Sequence, residues 1–147
     1  MWAPRSYIYG GVSYPALAFA SGSNLNKCER LAIKALKVDE QCMHVSCTFG
    51  GVWSGGGGGA GQNNLYLASY FFERAAEAGI IDPRVPAAIV RPTDFHDAAK
   101  RACKTNLKDA KHTYPHVEDG NLPYICMDFV YLFRLLVDGF GCSKSTT

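Results

Sequence analysis

Leu25, Cys28, Leu31, Ala32 and Ala35 recur at intervals of three and four residues, with Glu29, Arg30 and Lys34 set between them. That period gathers the apolar positions on one side of an α-helix, and Ser23 or Asn24 supplies an N-cap, so a helix is expected over residues 24–37. Ahead of it, Val12, Tyr14, Leu17 and Phe19 alternate loosely with glycine and serine across residues 8–20, the pattern of a strand or hairpin that Ser21-Gly22-Ser23 ends. A second helical face runs through Leu65, Ala68, Phe72, Ala75 and Ala76 and stops at Gly79, placed as a C′ glycine. Phe95, Ala98, Ala99 and Ala102 form a third, capped by Thr93 or Asp94. The last helix is expected from Leu122 to Val137, with Ile125, Phe129, Phe133 and Leu136 on its apolar face and Gly139 at its exit.

The intervening segments read differently. Residues 42–62 are rich in glycine and form a loop or hairpin, Asp82-Pro83 through Pro86 is a turn, and Ala88-Ile89-Val90 is a short buried-strand candidate. The pattern therefore predicts an α/β chain that is helix-rich with few short strands, too few to close a normal sheet. Helix faces around Leu31, Phe72 and Phe129 call for such a sheet, so exposed apolar surface and marginal stability are expected.

Composition adds a globular balance, 48% hydrophobic and 19% charged over 147 residues, which permits one domain with a real core. A net charge of +2 without a run of basic residues argues against nucleic acid or an anionic membrane as partner. The longest uncharged apolar stretch, Tyr14 to Ala20, contains Pro15 and falls far short of the roughly 20 residues a bilayer demands, so no transmembrane segment is expected. Six cysteines favour an oxidising compartment. The opening Met1-Trp2-Ala3-Pro4-Arg5 lacks the apolar run of a secretory leader, and a chain that is part of a longer secreted or luminal protein reconciles the two signals.

Candidate chemistry is sparse. The tract Gly50-Gly51-Val52-Trp53-Ser54 followed by Gly55 to Gly59 could wrap an anion with bare N–H groups, but Gln62-Asn63-Asn64 stands where a phosphate loop needs Gly-Lys-Ser/Thr. Asp138-Gly139-Phe140-Gly141 resembles an acidic-glycine phosphate loop, yet it ends a helical stretch, where exposed carbonyls repel phosphate. Cys42, His44 and Cys47 could begin a zinc site completed by His96, His112 or His116, although the closely spaced second ligand pair is interrupted by Pro115; a disulfide between Cys42 and Cys47 is the preferred alternative. Glu73 and Glu77 lie one turn apart, like an acid–base pair, but share a side with Tyr66 and Tyr70 and read as a solvated face. No Ser/His/Asp set is present, and neither a catalytic residue nor a metal ligand is assigned.

Three longer stretches belong together: Tyr9-Gly10-Gly11-Val12-Ser13-Tyr14, Cys47-Thr48-Phe49-Gly50-Gly51-Val52-Trp53-Ser54-Gly55-Gly56-Gly57-Gly58, and Ala68-Ser69-Tyr70-Phe71-Phe72-Glu73-Arg74-Ala75-Ala76-Glu77-Ala78-Gly79. With Asp94 to Cys103, Tyr114-Pro115, Asn121 to Asp128 and Leu135 to Gly141, they resemble the later part of a plant apyrase, in order and over residues 7–141. The resemblance implies a nucleoside triphosphate-diphosphohydrolase of the secretory pathway, extracellular or membrane-anchored facing the lumen, with nucleoside tri- and diphosphates as substrates and Ca²⁺ or Mg²⁺ as cofactor. It implies that residues 1–141 are an incomplete part of the second actin-like, RNase H-type lobe and that 142–147 are a divergent tail. The phosphate loops and catalytic glutamate of the family belong to segments ahead of those matched, so this chain alone is expected not to hydrolyse nucleotides.

Within that resemblance, Phe72 and Phe140 occupy the places of aromatics that sandwich the base, although the apolar stripe equally puts Phe72 in the core. Cys42–Cys47 and Cys103–Cys126 match the family's disulfides and suit a short loop and a helix pair folding back across Tyr114-Pro115. Cys28 is expected to lack its usual partner, and Cys142 belongs to the tail. A fragment of a nucleotide phosphohydrolase and a non-catalytic paralogue with weak nucleotide binding are the two functions left open.

Overall fold

The computed structural model describes residues 5–9, 11–16, 20–54 and 65–142. Leu17, Phe19, most of the glycine tract with Gln62-Asn63-Asn64, and the tail from Ser143 lie outside them. The chain is helix-rich with few strands, as the hydropathy pattern indicates. Strands β1 (Arg5–Tyr9) and β2 (Val12–Ala16) form an antiparallel hairpin in the register Arg5 to Ala16 through Tyr9 to Val12. The segment from Cys42 to Ser54 also doubles back, through an antiparallel bridge between Cys47 and Trp53 and an N–H of Thr48 donating to Val52 at 2.8 Å.

Helix α1 (Leu25–Leu36) starts where expected, with the Asn24 side chain accepting from the Lys27 N–H at 3.0 Å. Helix α2 (Tyr70–Glu77) is shorter than its predicted face: Leu65 and Ala68 precede it and are exposed. Its end matches expectation, because Gly79 takes φ 70° while its N–H reaches Ala76 and the Ile80 N–H reaches Ala75, the paired bonds of a Schellman exit. Helix α3 (Pro92–Lys104) begins earlier than the anticipated Thr93 or Asp94 cap. Arg91 is the cap, Pro92 opens the first turn where its missing N–H costs nothing, and Asp94 reaches back to the Arg91 N–H at 2.8 Å.

Helix α4 (Leu107–Thr113) is an addition to the sequence reading. Helix α5 (Ile125–Arg134), entered through a 3-10 turn at Leu122–Tyr124 and extended by a π turn at Leu135–Gly139, sits at the centre. It packs on both α1 and α3 and touches α2. Ile125, Cys126, Phe129, Val130, Leu132, Phe133 and Leu136 are all buried, which covers most of the helix circumference and not one stripe.

Two expectations fail here. Ala88-Ile89-Val90 is not a strand: Ile89 is 86% exposed, and among the described residues no neighbouring strand lies ready to pair with it. Phe129 needs no sheet, since the surrounding helices bury it fully, whereas Leu31 stays 58% exposed on the outer side of α1. None of the described helices is long and apolar enough to cross a membrane.

Candidate functional site

The C-terminal end of α5 is fixed by a loop from far earlier in the chain. Gly139 is buried against Phe49, so closely that a Cβ on Gly139 would lie 2.8 Å from the Phe49 Cδ1. The Thr48 hydroxyl donates to the Gly139 carbonyl. Gly139 is thus a glycine of close approach inside the π turn, and the positive φ of the exit falls to Gly141 instead, at 68°. Backbone bonds of 3.0 Å from Phe140 to Leu135 and from Cys142 to Leu136 complete the exit. Phe140, held between these anchors, remains 45% exposed.

Phe72 lies elsewhere, on α2. The residues that turn α2 into the core are Phe71, Ala75 and Ala78, with Phe71 edge-on to Phe95 at 6.3 Å between centroids. Phe72 is half-buried and stands outside the packed apolar cluster. Among the described residues no ring contact joins Phe72 to Phe140.

The proposed solvated face of α2 is only half correct. Glu73 is exposed, but Glu77 is drawn inward by Arg74, a buried arginine whose Nε lies 2.9 Å from Glu77 Oε2. The same guanidinium reaches Asp128 Oδ2 on α5 at 3.5 Å and stands 5.3 Å over the Tyr70 ring. Burial pushes the Glu77 carboxyl above its usual range, Arg74 pulls it down, and Asp128, Glu73 and Glu118 push it up. The sequence signal for this set was weak: an Arg–Glu pair at i, i+3 resembles any exposed helix pair until the packing of α2 on α5 is known.

A second polar set ties three helices together. Glu29 on α1 contacts His96 Nε2 on α3 and an Arg134 nitrogen on α5, each at 3.4 Å, and Arg134 reaches Asp138 at 3.5 Å. His96 stacks on Phe133 with centroids 4.5 Å apart. Asp138, read from sequence as part of a possible phosphate loop, is therefore occupied inside the helix end.

Cys42 is bonded to Cys47 and Cys103 to Cys126; Cys28 and Cys142 are free thiols. His44, His112 and His116 are exposed, and among the described residues no group of three or more histidine, cysteine or acidic side chains is arranged to hold a metal ion. Five of the carboxylates are committed to other partners and do not offer their oxygens to a divalent cation. Glu77 and Asp128 clamp Arg74, Glu29 and Asp138 clamp Arg134, and Asp94 caps α3. Lys27, Arg30, Lys34 and Lys37 are exposed along α1, a local basic row that the sequence reading did not single out, with Asp39 and Glu40 beside its lower end.

A helical core, two disulfides and an exposed aromatic at an anchored helix exit are the features to set beside known proteins. The chain belongs to the GDA1/CD39 (nucleoside phosphatase) family, which it matches over residues 4–147. It is 58% identical over 135 residues to probable apyrase 2 of Oryza sativa subsp. japonica, covering 92% of this chain and 29% of that protein. It is 54% identical over 143 residues to apyrase 1 of Arabidopsis thaliana, covering 97% and 30% respectively. With a nucleoside-triphosphatase of Pisum sativum the identity is 47% over 136 residues, covering 92% and 30%. The chain spans less than a third of the length of these curated relatives.

Proposed function

We propose that this chain forms the nucleoside-binding portion of an apyrase-type enzyme that converts nucleoside tri- and diphosphates to monophosphates in a secretory or extracellular compartment. Residues 1–141 form part of its second actin-like lobe, with 142–147 as a divergent tail. Family membership and the names of the plant relatives support the reaction class, and two disulfides agree with an oxidising compartment. The observation that carries the reading is Phe140, an aromatic residue that stays 45% exposed on a backbone anchored on both sides. A flat apolar face presented on a rigid support stacks on any base, which suits broad nucleotide use. Phe72, off the core on α2, supplies the second aromatic.

Phosphate cleavage is a matter of positioning phosphates, cation and attacking water. The inward-facing carboxylates of Glu29, Glu77, Asp128 and Asp138 are engaged in ion pairs, and on this reading Ca²⁺ or Mg²⁺ and the phosphates are handled by the parts of the family fold outside these residues. The 147 residues by themselves bind a nucleotide weakly and do not turn it over. The test is calorimetric titration with ADP alongside a phosphate-release assay in Ca²⁺ or Mg²⁺. Weak binding that Phe140→Ala and Phe72→Ala each reduce by about 1–3 kcal/mol, with no phosphate released, is the expected result. Binding indifferent to both substitutions, or sustained turnover, would overturn it.

A further inference from the structure

The loop from Cys42 to Ser54 is built as a brace. The Cys42–Cys47 disulfide closes its base, and it doubles back through N–H bonds from Thr48 to Val52 at 2.8 Å and from Ser54 to Ser46 at 3.1 Å. It is seated on the exit of α1: the Gly50 N–H donates to the Lys37 carbonyl at 3.1 Å, and a Cβ on Gly51 would stand 2.7 Å from the Gln41 carbonyl oxygen. From this seat the Thr48 hydroxyl reaches the Gly139 carbonyl, 91 residues away in sequence, and Phe49 packs on Gly139. We propose that Thr48 and Phe49 are positioning residues for the nucleoside, carried by the Cys42–Cys47 loop and acting through Gly139 on Phe140. The proposal rests on the reading of Phe140 as a base-stacking residue.

The bonds from Phe140 to Leu135 and from Cys142 to Leu136 shape the π turn, but they lie within one stretch of chain. Thr48 and Phe49 tie that stretch to a separate part of the fold. Phe49 lies outside the packed apolar cluster, so its contact with Gly139 serves the exit of α5 and not the core. Cys42 is exposed and Cys47 half-buried, which puts the staple at the outer end of the brace, where opening it frees the loop without stripping the core. A stacking residue that is already held in place loses little freedom when the base arrives, whereas a loose one must be ordered by the ligand and binds it less well. Nucleoside affinity is therefore set in part by a loop that stands one residue away from the stacking position.

The test pairs titration of the full chain with ADP and amide hydrogen exchange. Thr48→Val, which keeps the side-chain shape and removes the hydroxyl, should weaken ADP binding about twofold to tenfold, and Thr48→Ser should hold it within about twofold of wild type. Cys42→Ala with Cys47→Ala should weaken it by about the same factor, and adding Thr48→Val to that pair should change little more, because both act through one loop. Exchange at the Phe140 and Cys142 amides should quicken about twofold to tenfold in Thr48→Val, while amides within α3 keep their wild-type protection. If Phe140→Ala weakens binding and the loop variants do not, the brace is overturned and the base-stacking reading stands. If the chain binds no ADP, or Phe140→Ala leaves binding unchanged, both fall. Unaltered exchange at Phe140 and Cys142 in Thr48→Val overturns the brace whatever the nucleotide does.

Discussion

Gly139 and Phe49 touch so closely that no side chain fits between them, with 2.8 Å from a Cβ at Gly139 to the Phe49 Cδ1. Gly139→Ala must move the ring or open the π turn, and is expected to cost about 1–3 kcal/mol in urea denaturation. Thr48→Ala removes the hydroxyl that donates to the Gly139 carbonyl and should cost about 0.5–1.5 kcal/mol. If both variants unfold at the wild-type midpoint, this anchor does not hold the exit of α5.

Phe71 and Phe72 are neighbours with opposite expected phenotypes. Phe71→Ala strips a ring from the contact with Phe95 and should lower stability by about 2–4 kcal/mol. Phe72→Ala, outside the apolar cluster, should cost under about 1 kcal/mol of stability while weakening ADP binding. Thermal melts and titrations on the same two proteins separate these roles; a reversal would return Phe72 to the core.

The Arg74 set gives a pH signature. Burial holds the Glu77 carboxyl above its ordinary value, so the folded chain binds more protons than the unfolded one between the ordinary and the raised value. The Glu77 contribution to stability therefore falls as pH rises through that window and levels off above it. Glu77→Gln should flatten this slope and be no less stable than wild type at neutral pH, with Arg74 still facing Asp128. Arg74→Met leaves two carboxylates without their shared cation and should cost about 3 kcal/mol at neutral pH, regained in part on acidification. Denaturation midpoints across a pH series read out both effects.

Lys37 sits at φ 49° and ψ 48°, a left-handed position that glycine adopts without steric cost. Lys37→Gly should raise stability by about 0.5–1 kcal/mol after the greater freedom of the unfolded glycine is counted. A lower melting temperature would show that the lysine side chain contributes more than its backbone strain takes away.

Where apolar spacing was regular, the sequence was a good guide: Leu25 to Leu36 and Ile125 to Arg134 form helices within the expected spans. It misled where a neighbouring element decides. Ala88-Ile89-Val90 has strand composition, but strand formation depends on a partner edge. Leu65 and Ala68 continue the period of α2 only on paper, since Ser69 turns to φ 55° and the helix starts after it. Helix α4 has few apolar residues to reveal it, yet Asn106 and Asp109 form its cap, with the Asn106 side chain accepting from the Asp109 N–H at 3.0 Å. The Phe72 and Phe140 positions came from family resemblance, while the Arg74 and Arg134 ion pairs depend on helix contacts that no local pattern encodes.

The central place of α5 also sets an order of events at the ribosome. Helix α1 ends at Leu36 and α3 at Lys104, but the helix that covers them both begins only at Ile125. During synthesis their apolar sides emerge and wait, for seconds at ordinary elongation rates, before Phe129 and Leu132 arrive to close over them. A nascent chain halted before residue 125 therefore leaves the apolar sides of α1 and α3 uncovered by the helix that packs on both in the folded protein.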